Sequence, residues 1–243
     1  MSSSRLFEPG LLVQGFDPPL SLKNFSLIAF DMDSTLINIE CIDELAKFAG
    51  VGDQVAKITE AAMRGEIKDF KDSLRRRVAL LKGTHESALQ DVLANALALN
   101  PGAKTLVSTC KDQGLKILLV SGGFTFFAHA VQEMLGIDYT RSNVLEIKDH
   151  VLTGELITQP WGDICDGQEK KNMLLQTCAQ LGISAAQAIA VGDGANDLPM
   201  MHACMEAGGL SVAFHAKPTV RAQAMVSIEK GGLDRLLSVI QPS

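Results

Sequence analysis

The chain has 243 residues, of which 47% are hydrophobic and 21% charged, and its formal net charge is −6. This composition excludes a disordered or collagen-like protein, and the acidic balance argues against a nucleic-acid binder, which needs a basic surface. The five cysteines are widely spaced and form no CxxC motif, which favours free thiols in a reducing compartment such as the cytoplasm. We see no signal peptide and no plausible membrane span, so we expect no membrane partner.

Residues 1–25 contain three prolines and two glycines, which predicts an extended N-terminal arm or a short strand. Short apolar runs then predict buried strands at 26–31, 116–121, 187–193 and, more weakly, 210–214. Each run is followed by glycine or small polar residues and then by a helical pattern. Alternating strands and helices predict an α/β fold with a Rossmann-like, doubly wound parallel sheet.

One stretch breaks this alternation. Residues 41–99 contain helical periodicity without a strand signal, which predicts a helical-bundle cap inserted after the first strand. The catalytic core would then comprise 26–40 and 100–243. Residues 145–156 alternate around Asp149-His150, which predicts a small β-hairpin flap.

Acidic residues follow two of the predicted strands. Asp31 and Asp33 leave the first strand, and Asp193 with Asp197 leaves the third. Because ligands of open α/β sheets bind at the carboxyl ends of the strands, these acids should meet, and they would repel one another without a cation. Oxygen ligands of this kind favour Mg²⁺ shared with a phosphate. A single aspartate after a strand is more commonly a helix cap, but the combination disfavours that reading.

The residues between these acids suit an anionic ligand. Asp31 and Asp33 can address one reacting centre as nucleophile and general acid/base. Ser121-Gly122-Gly123 offers a hydroxyl and open amides for a phosphate, although a plain turn uses the same residues. Lys171 lies near the start of a predicted helix, where a cation is unfavourable unless an anion is bound.

With these residues assembled, the chain resembles the haloacid dehalogenase superfamily of phosphatases, from about residue 26 to the C-terminus. The motifs are DMDSTLI at 31–37, SGG at 121–123, Lys171 and GDGAND at 192–197. The helical region adds IECIDELA at 39–46 and SLRRRV at 73–78, which are most similar to members acting on O-phosphoserine.

The resemblance implies a role for each matched residue. Asp31 is expected to form an aspartyl phosphate and Asp33 to act as general acid/base, with Mg²⁺ held by Asp31, Asp33 and Asp193. The phosphoryl group is expected to contact Ser121, Gly122, Lys171 and Asn196, with Asp197 in support. The amino-acid part of the substrate is expected to contact Glu40, Met63, Phe70 and Arg77.

Arg77 lies on an apolar helical stripe with Phe70, Leu74 and Leu81, where a guanidinium needs a partner. Periodicity alone favours a structural salt bridge, whereas the resemblance favours a clamp for a substrate carboxylate. Met63 and Phe70 by themselves are typical of core residues.

The resemblance implies Mg²⁺-dependent hydrolysis of O-phosphoserine to serine and phosphate, the last step of serine biosynthesis. Alternatives are hydrolysis or transfer of another small phosphomonoester, or a non-catalytic sensor of phosphometabolites on the same fold. The second aspartate, Asp33, favours an enzyme, since a sensor needs no acid/base. The oligomeric state stays open.

Overall fold

The computed structural model describes residues 4–63, 66–67 and 69–242, with the side chain of Met63 left out. The strands are β1 Arg5–Glu8, β2 Leu11–Val13, β3 Leu20–Ser21, β4 Leu27–Phe30, β5 Lys116–Phe124, β6 Tyr139–Lys148, β7 Val151–Ile157, β8 Ala188–Gly192, β9 Leu210–Phe214, β10 Val226–Ile228 and β11 Ile240–Gln241. The helices are α1 Cys41–Phe48, α2 Gly52–Met63, α3 Phe70–Ala79, α4 Ser87–Asn95, α5 Ala103–Asp112, α6 Thr125–Leu135, α7 Gly167–Leu181, α8 Leu198–Ala207 and α9 Pro218–Arg221.

Nine strands form one sheet in the order β1-β2-β10-β9-β8-β4-β5-β6-β7. Strands β10, β9, β8, β4, β5 and β6 run parallel, and antiparallel strands close both edges. The first motif strand, β4, lies in the centre between β8 and β5. This confirms the predicted α/β fold with a Rossmann-like sheet.

Helices cover both faces of the sheet. Side chains alternate along each strand, so the buried central strands present an apolar surface on both faces. In β4, Ile28 and Phe30 belong to a core cluster that includes α5 and α6 residues. Leu27 and Ala29 point into a second cluster built largely from α7 and α8. All four strand residues are buried, which explains why β4 appears in the sequence as a continuous apolar run.

The N-terminal segment is part of the sheet. The predicted arm forms a β1–β2 hairpin, and β2 pairs antiparallel with β10. Leu11 and Val13 are buried in the main core. The pairing joins the beginning of the chain to a strand near its end, which local sequence patterns do not reveal.

Helices α1–α4 lie between β4 and β5, and no strand lies among them in the described residues. Leu45, Leu74 and Val78 are buried in the same cluster as one face of the sheet. We call α1–α4 the cap helices. The division of the chain into a core and a cap stays a prediction.

The predicted hairpin is formed by β6 and β7. At its turn, Asp149 and His150 both have positive φ angles, 49° and 64°, as expected of a tight two-residue hairpin turn. Main-chain hydrogen bonds tie this hairpin to the loop after α3, since the Gly83 N–H donates to Leu152 and the Leu152 N–H to Thr84. The hairpin therefore connects the cap helices to the edge of the sheet.

Among the described helices, none is both long enough and apolar enough to cross a membrane.

Candidate active site

Asp31 and Asp33 lie on a tight loop directly after β4. Asp31 is buried, and the loop turns through Ser34, whose φ of 56° lies in the left-handed region. Such a conformation is uncommon for a residue with a side chain, and it occurs in tight turns and in active-site loops. The turn allows both carboxylates to line the same cavity.

The Asp33 carboxylate contacts the start of the first cap helix. One oxygen accepts the backbone N–H of Cys41 at 3.1 Å, and the other lies 3.2 Å from the Cys41 thiol. Cys41 is the first residue of α1, where backbone N–H groups lack helical partners. The predicted acid/base is therefore held between the sheet and the cap helices.

The loop after β8 brings Asp193 to the same place. The Thr35 hydroxyl donates to Asp193 at 3.3 Å, which links this loop to the loop after β4. Asp197 folds back and accepts the N–H groups of Asp193 and Gly194, at 3.1 and 2.9 Å. A Cβ on Gly192 would lie 2.3 Å from Cγ of Asp197, so the turn requires glycine there.

The buried lysine of the site is Lys170, which corrects the prediction of Lys171. Its ammonium lies 2.6 Å from Asp31 and 2.6 Å from Asp197, and all three side chains are almost fully buried. Lys171 is partly exposed, and no ion pair joins it to an acid within the described part of the chain. Neither lysine is among the described residues that line the cavity, and Lys170 reaches it only through its contact with Asp31.

The helical register of α7 explains the difference. Lys170 shares the core-facing stripe with Leu174, Thr177 and Cys178. One residue further along, Lys171 shares a face with the more exposed Leu175. The apolar periodicity after Lys170 could have identified the correct lysine.

Burial and the crowding of like charges raise the pKa values of the aspartates in the site. Burial and the charge of Asp197 raise the pKa of Asp31 to about 7, against the lowering effect of Lys170. Burial and Glu40 raise the pKa of Asp33 to about 8, and burial and Asp31 raise that of Asp193 to about 8. Burial lowers the pKa of Lys170, but Asp197 and Asp31 outweigh it and raise the pKa well above its usual range.

These shifts bear on the predicted metal site. Ligand atoms of Asp31, Asp193 and Asp197 lie within 4.8 Å of one another. Both oxygens of Asp197 are occupied, Oδ1 by Lys170 and Oδ2 by two backbone N–H groups, whereas Lys170 contacts Asp31 through Oδ1 alone. Asp31 and Asp193 are therefore the side chains that can offer an oxygen to a cation. A divalent cation there would relieve the repulsion between the two carboxylates. The residues therefore fit a metal bound through oxygen.

The predicted phosphate loop lies at the end of β5. The buried Ser121 hydroxyl accepts the Gly123 N–H at 2.8 Å, and Ser121, Gly122 and Asn196 all line the cavity. The structure adds Asn143, whose amide donates to the Gly122 carbonyl and accepts from the Cys165 N–H, both at 2.8 Å. This brace between β6 and the loop has no sequence signal that we recognised.

The cap helices supply the opposite wall. Glu40, Phe70 and Arg77 line the cavity, and the Ser34 hydroxyl donates to Glu40 at 2.7 Å. A Cβ on Gly122 would lie 2.8 Å from Cζ of Phe70, so the ring rests directly over the phosphate loop. The Met63 prediction concerns a side chain outside the described part of the structure.

The cavity enclosed by these walls has a volume of about 990 Å³. All the predicted site residues that the structure describes line this cavity, except Lys171 and Asp197. Asp197 is fully buried and pairs with Lys170, which in turn contacts Asp31. Asp43 and Lys217 also line it and were not predicted. Carboxylates on one side and a guanidinium on the other could bind a small phosphate ester with a second charged end.

Comparisons with known proteins agree with this geometry. A family model described as a haloacid dehalogenase-like hydrolase matches residues 25–204. The chain is 65% identical over 233 residues to a phosphoserine phosphatase of Polaromonas sp., covering 96% of this chain and 97% of the relative. A phosphoserine phosphatase of Albidiferax ferrireducens is 64% identical over 234 residues, again covering 96% and 97%.

A solved structure is similar over most of its length. The structure described as a phospho-aspartyl intermediate analogue of phosphoserine phosphatase matches with a TM-score of 0.80 and 38% identity. The match covers 89% of this chain and 99% of that one.

Proposed function

The chain belongs to the haloacid dehalogenase-like hydrolase family, and from that premise we propose that it hydrolyses O-phosphoserine to serine and phosphate. One observation carries the proposal: a single cavity holds the carboxylates that follow β4 and β8 together with Glu40 and Arg77 from the cap helices. The first group suits phosphoryl transfer, and the second suits the charged head of an amino acid. The names of the similar proteins support this substrate.

We assign the first step to Asp31 and Asp33. An Asp31 carboxylate oxygen attacks phosphorus while the bond from phosphorus to the serine oxygen breaks. Asp33 gives its proton to that leaving oxygen, and its raised pKa of about 8 keeps the proton available near neutral pH.

In the second step, Asp33 takes a proton from a water molecule that attacks the aspartyl phosphate, which restores the Asp31 carboxylate and releases phosphate. Ser121, Gly122 and Asn196 would hold the phosphoryl oxygens. Lys170 takes the place proposed for Lys171, where its charge offsets that of Asp31 and the phosphoryl group.

We propose Mg²⁺ as the cofactor, held by Asp31, Asp193 and the main-chain carbonyl of Asp33. When bound, it would neutralise negative charge on the phosphoryl group. We further propose a cytoplasmic role in serine biosynthesis. The five free, buried cysteines support a reducing compartment.

Phosphate release from the purified protein with Mg²⁺ tests the proposal. O-phosphoserine should be hydrolysed well ahead of sugar phosphates, nucleotides and phosphothreonine, and EDTA should abolish the reaction. Asp33→Asn should lose turnover while retaining substrate binding. Hydrolysis of other esters but not O-phosphoserine would refute the substrate, and no hydrolysis at all would favour a sensor.

A further inference from the structure

Asn143 on β6 is a buried polar side chain that the proposed mechanism does not use. Its amide nitrogen donates to the Gly122 carbonyl, and its amide oxygen accepts the Cys165 N–H, both at 2.8 Å. A carbonyl can only accept and an N–H can only donate, so these two partners fix which way the amide points. An apolar side chain of similar size could fill the same space, but both main-chain groups would lose these hydrogen bonds.

The Asn143 amide holds one end of the peptide group that joins Gly122 to Gly123. The N–H at the other end, which belongs to Gly123, donates to the Ser121 hydroxyl at 2.8 Å. The carbonyl and the N–H of a trans peptide point in opposite directions, so the two hydrogen bonds together fix the rotation of this peptide plane. Neither glycine has a side chain that would restrict that rotation. The orientation of the loop therefore depends on its hydrogen bonds.

This peptide group in turn determines where the Ser121 hydroxyl directs its proton. The hydroxyl oxygen accepts from Gly123, so the O–H bond must point elsewhere. The described part of the chain supplies no acceptor for that proton, and Ser121 lines the cavity. A Cβ on Gly123 would lie 3.1 Å from the Ser121 hydroxyl oxygen and 3.3 Å from a carboxylate oxygen of Asp33, so the loop lies beside the proposed acid/base. The hydroxyl is thus a donor open to a phosphoryl oxygen.

We therefore infer that Asn143 is a positioning residue for phosphoryl transfer. By fixing the peptide group between Gly122 and Gly123, it aims the Ser121 hydroxyl at a phosphoryl oxygen of the substrate. The same amide holds the Cys165 N–H, in the segment that leads into α7. This inference rests on the proposed function, but it concerns the phosphoryl end of the substrate and not the amino-acid end.

The competing explanation is that Asn143 only stabilises the fold by pairing buried main-chain groups. Ser142 provides a matched control. It precedes Asn143 on the same strand, it is also buried, and its hydroxyl lies 3.1 Å from the Thr125 hydroxyl. Ser142→Ala therefore removes a hydrogen bond from the same strand without removing one from residues 121–123.

The test measures the dissociation constant of inorganic phosphate by phosphorus NMR titration with Mg²⁺ present. A dissociation constant does not depend on the fraction of protein that is folded, so a loss of stability alone does not change it. Asn143→Leu should raise this constant on the order of tenfold and lower kcat for O-phosphoserine on the order of ten- to a hundredfold, because the Ser121 hydroxyl is no longer aimed. Ser142→Ala should leave both values within about twofold of the wild type.

A double variant tests whether Asn143 acts through Ser121. In a Ser121→Ala background, Asn143→Leu should change the phosphate dissociation constant by less than about threefold, because the hydroxyl that it positions is already absent. Equal effects of Asn143→Leu in the two backgrounds would overturn the inference, as would a dissociation constant that Asn143→Leu leaves unchanged.

Should Asn143→Leu prove insoluble, Asn143→Ala serves in the same comparisons. Failure of the proposed function is distinguishable from failure of this inference. A wild-type protein that binds phosphate but does not hydrolyse O-phosphoserine would refute the proposed substrate, and the phosphate titrations would still decide the role of Asn143. A wild-type protein that binds no phosphate would overturn the inference itself.

Discussion

At the scale of single residues, the site depends on one buried lysine between two aspartates. Lys170 compensates Asp31 and Asp197 in a region that the surrounding strands and α7 seal from solvent. Removing one partner of a buried ion pair leaves an uncompensated charge, which costs about 3–5 kcal/mol. The neighbouring Lys171 makes no such contact among the described residues.

We expect Lys170→Met to lower both the thermal midpoint and kcat/KM, the latter by at least about a hundredfold, because Asp31 loses its counter-charge. Lys171→Met should stay within about threefold of the wild type, since it removes only a partly exposed charge. Thermal unfolding and phosphate-release kinetics measure the two effects. A larger loss of kcat/KM in Lys171→Met than in Lys170→Met would assign the phosphate-facing charge to Lys171 instead.

The raised pKa values of Asp31, Asp33 and Asp193 predict how pH affects the metal-free protein. The folded state retains protons that the unfolded chain releases near pH 4, so the folded state binds more protons between about pH 4 and 8. Stability should therefore fall as pH rises from 5 to 8 in EDTA. Because a metal must displace these protons, Mg²⁺ should stabilise the protein more at pH 8 than at pH 6.

Thermal midpoints measured across this pH range, with EDTA and with Mg²⁺, check both trends. A metal-free midpoint that is constant or rises with pH would contradict the raised pKa values.

At the scale of elements, charged side chains connect the third cap helix to the loop before α7. Lys71 lies 2.7 Å from Asp163 and 3.7 Å from Asp166, and Arg75 also pairs with Asp163. These side chains are partly exposed, so they should contribute little to global stability. Their position beside Phe70 suggests that they hold α3 over the phosphate loop.

We expect Asp163→Asn to raise KM for O-phosphoserine by about two- to tenfold, because α3 is held less firmly over the cavity, with little change in the thermal midpoint. Asp72→Asn, which removes a pair with Arg76 inside α3, should leave KM unchanged. Wild-type KM should rise toward that of the variant in about 0.5 M salt, which screens exposed charges. Steady-state kinetics at two salt concentrations measure these effects. A KM that changes neither with Asp163→Asn nor with salt would contradict this role of the ion pairs.

At the scale of the whole molecule, the sheet is completed by the two ends of the chain. Strand β2 covers the edge of β10, and Arg235 pairs with Glu8 at 2.8 Å. Leu11 is fully buried, whereas Leu6 on β1 is 67% exposed. The N-terminal hairpin therefore contributes to the main core.

Leu11→Ala should lower the free energy of unfolding by about 2–5 kcal/mol, because it leaves a cavity in that core. Leu6→Ala should change it by less than about 0.5 kcal/mol. Urea denaturation measures both values. Equal midpoints for the two variants would mean that the hairpin is not part of the cooperative fold.

The sequence alone predicted four of the parallel strands, the hairpin, the helical insertion and the acids at the strand ends. These features are local: β4 and β8 are buried on both faces and so appear as apolar runs, and the carboxyl ends of parallel strands converge at one edge. The hairpin turn at Asp149-His150 could also be predicted from the sequence, because its two flanking strands alternate in polarity.

Only the tertiary structure decided which lysine meets Asp31, because one step along a helix turns a side chain by about 100° and packing against the sheet selects the register. The same holds for β2 beside β10, a pairing between distant segments, and for Asn143, whose amide donates to the Gly122 carbonyl. Each depends on contacts between elements far apart in the chain, which composition and periodicity do not encode.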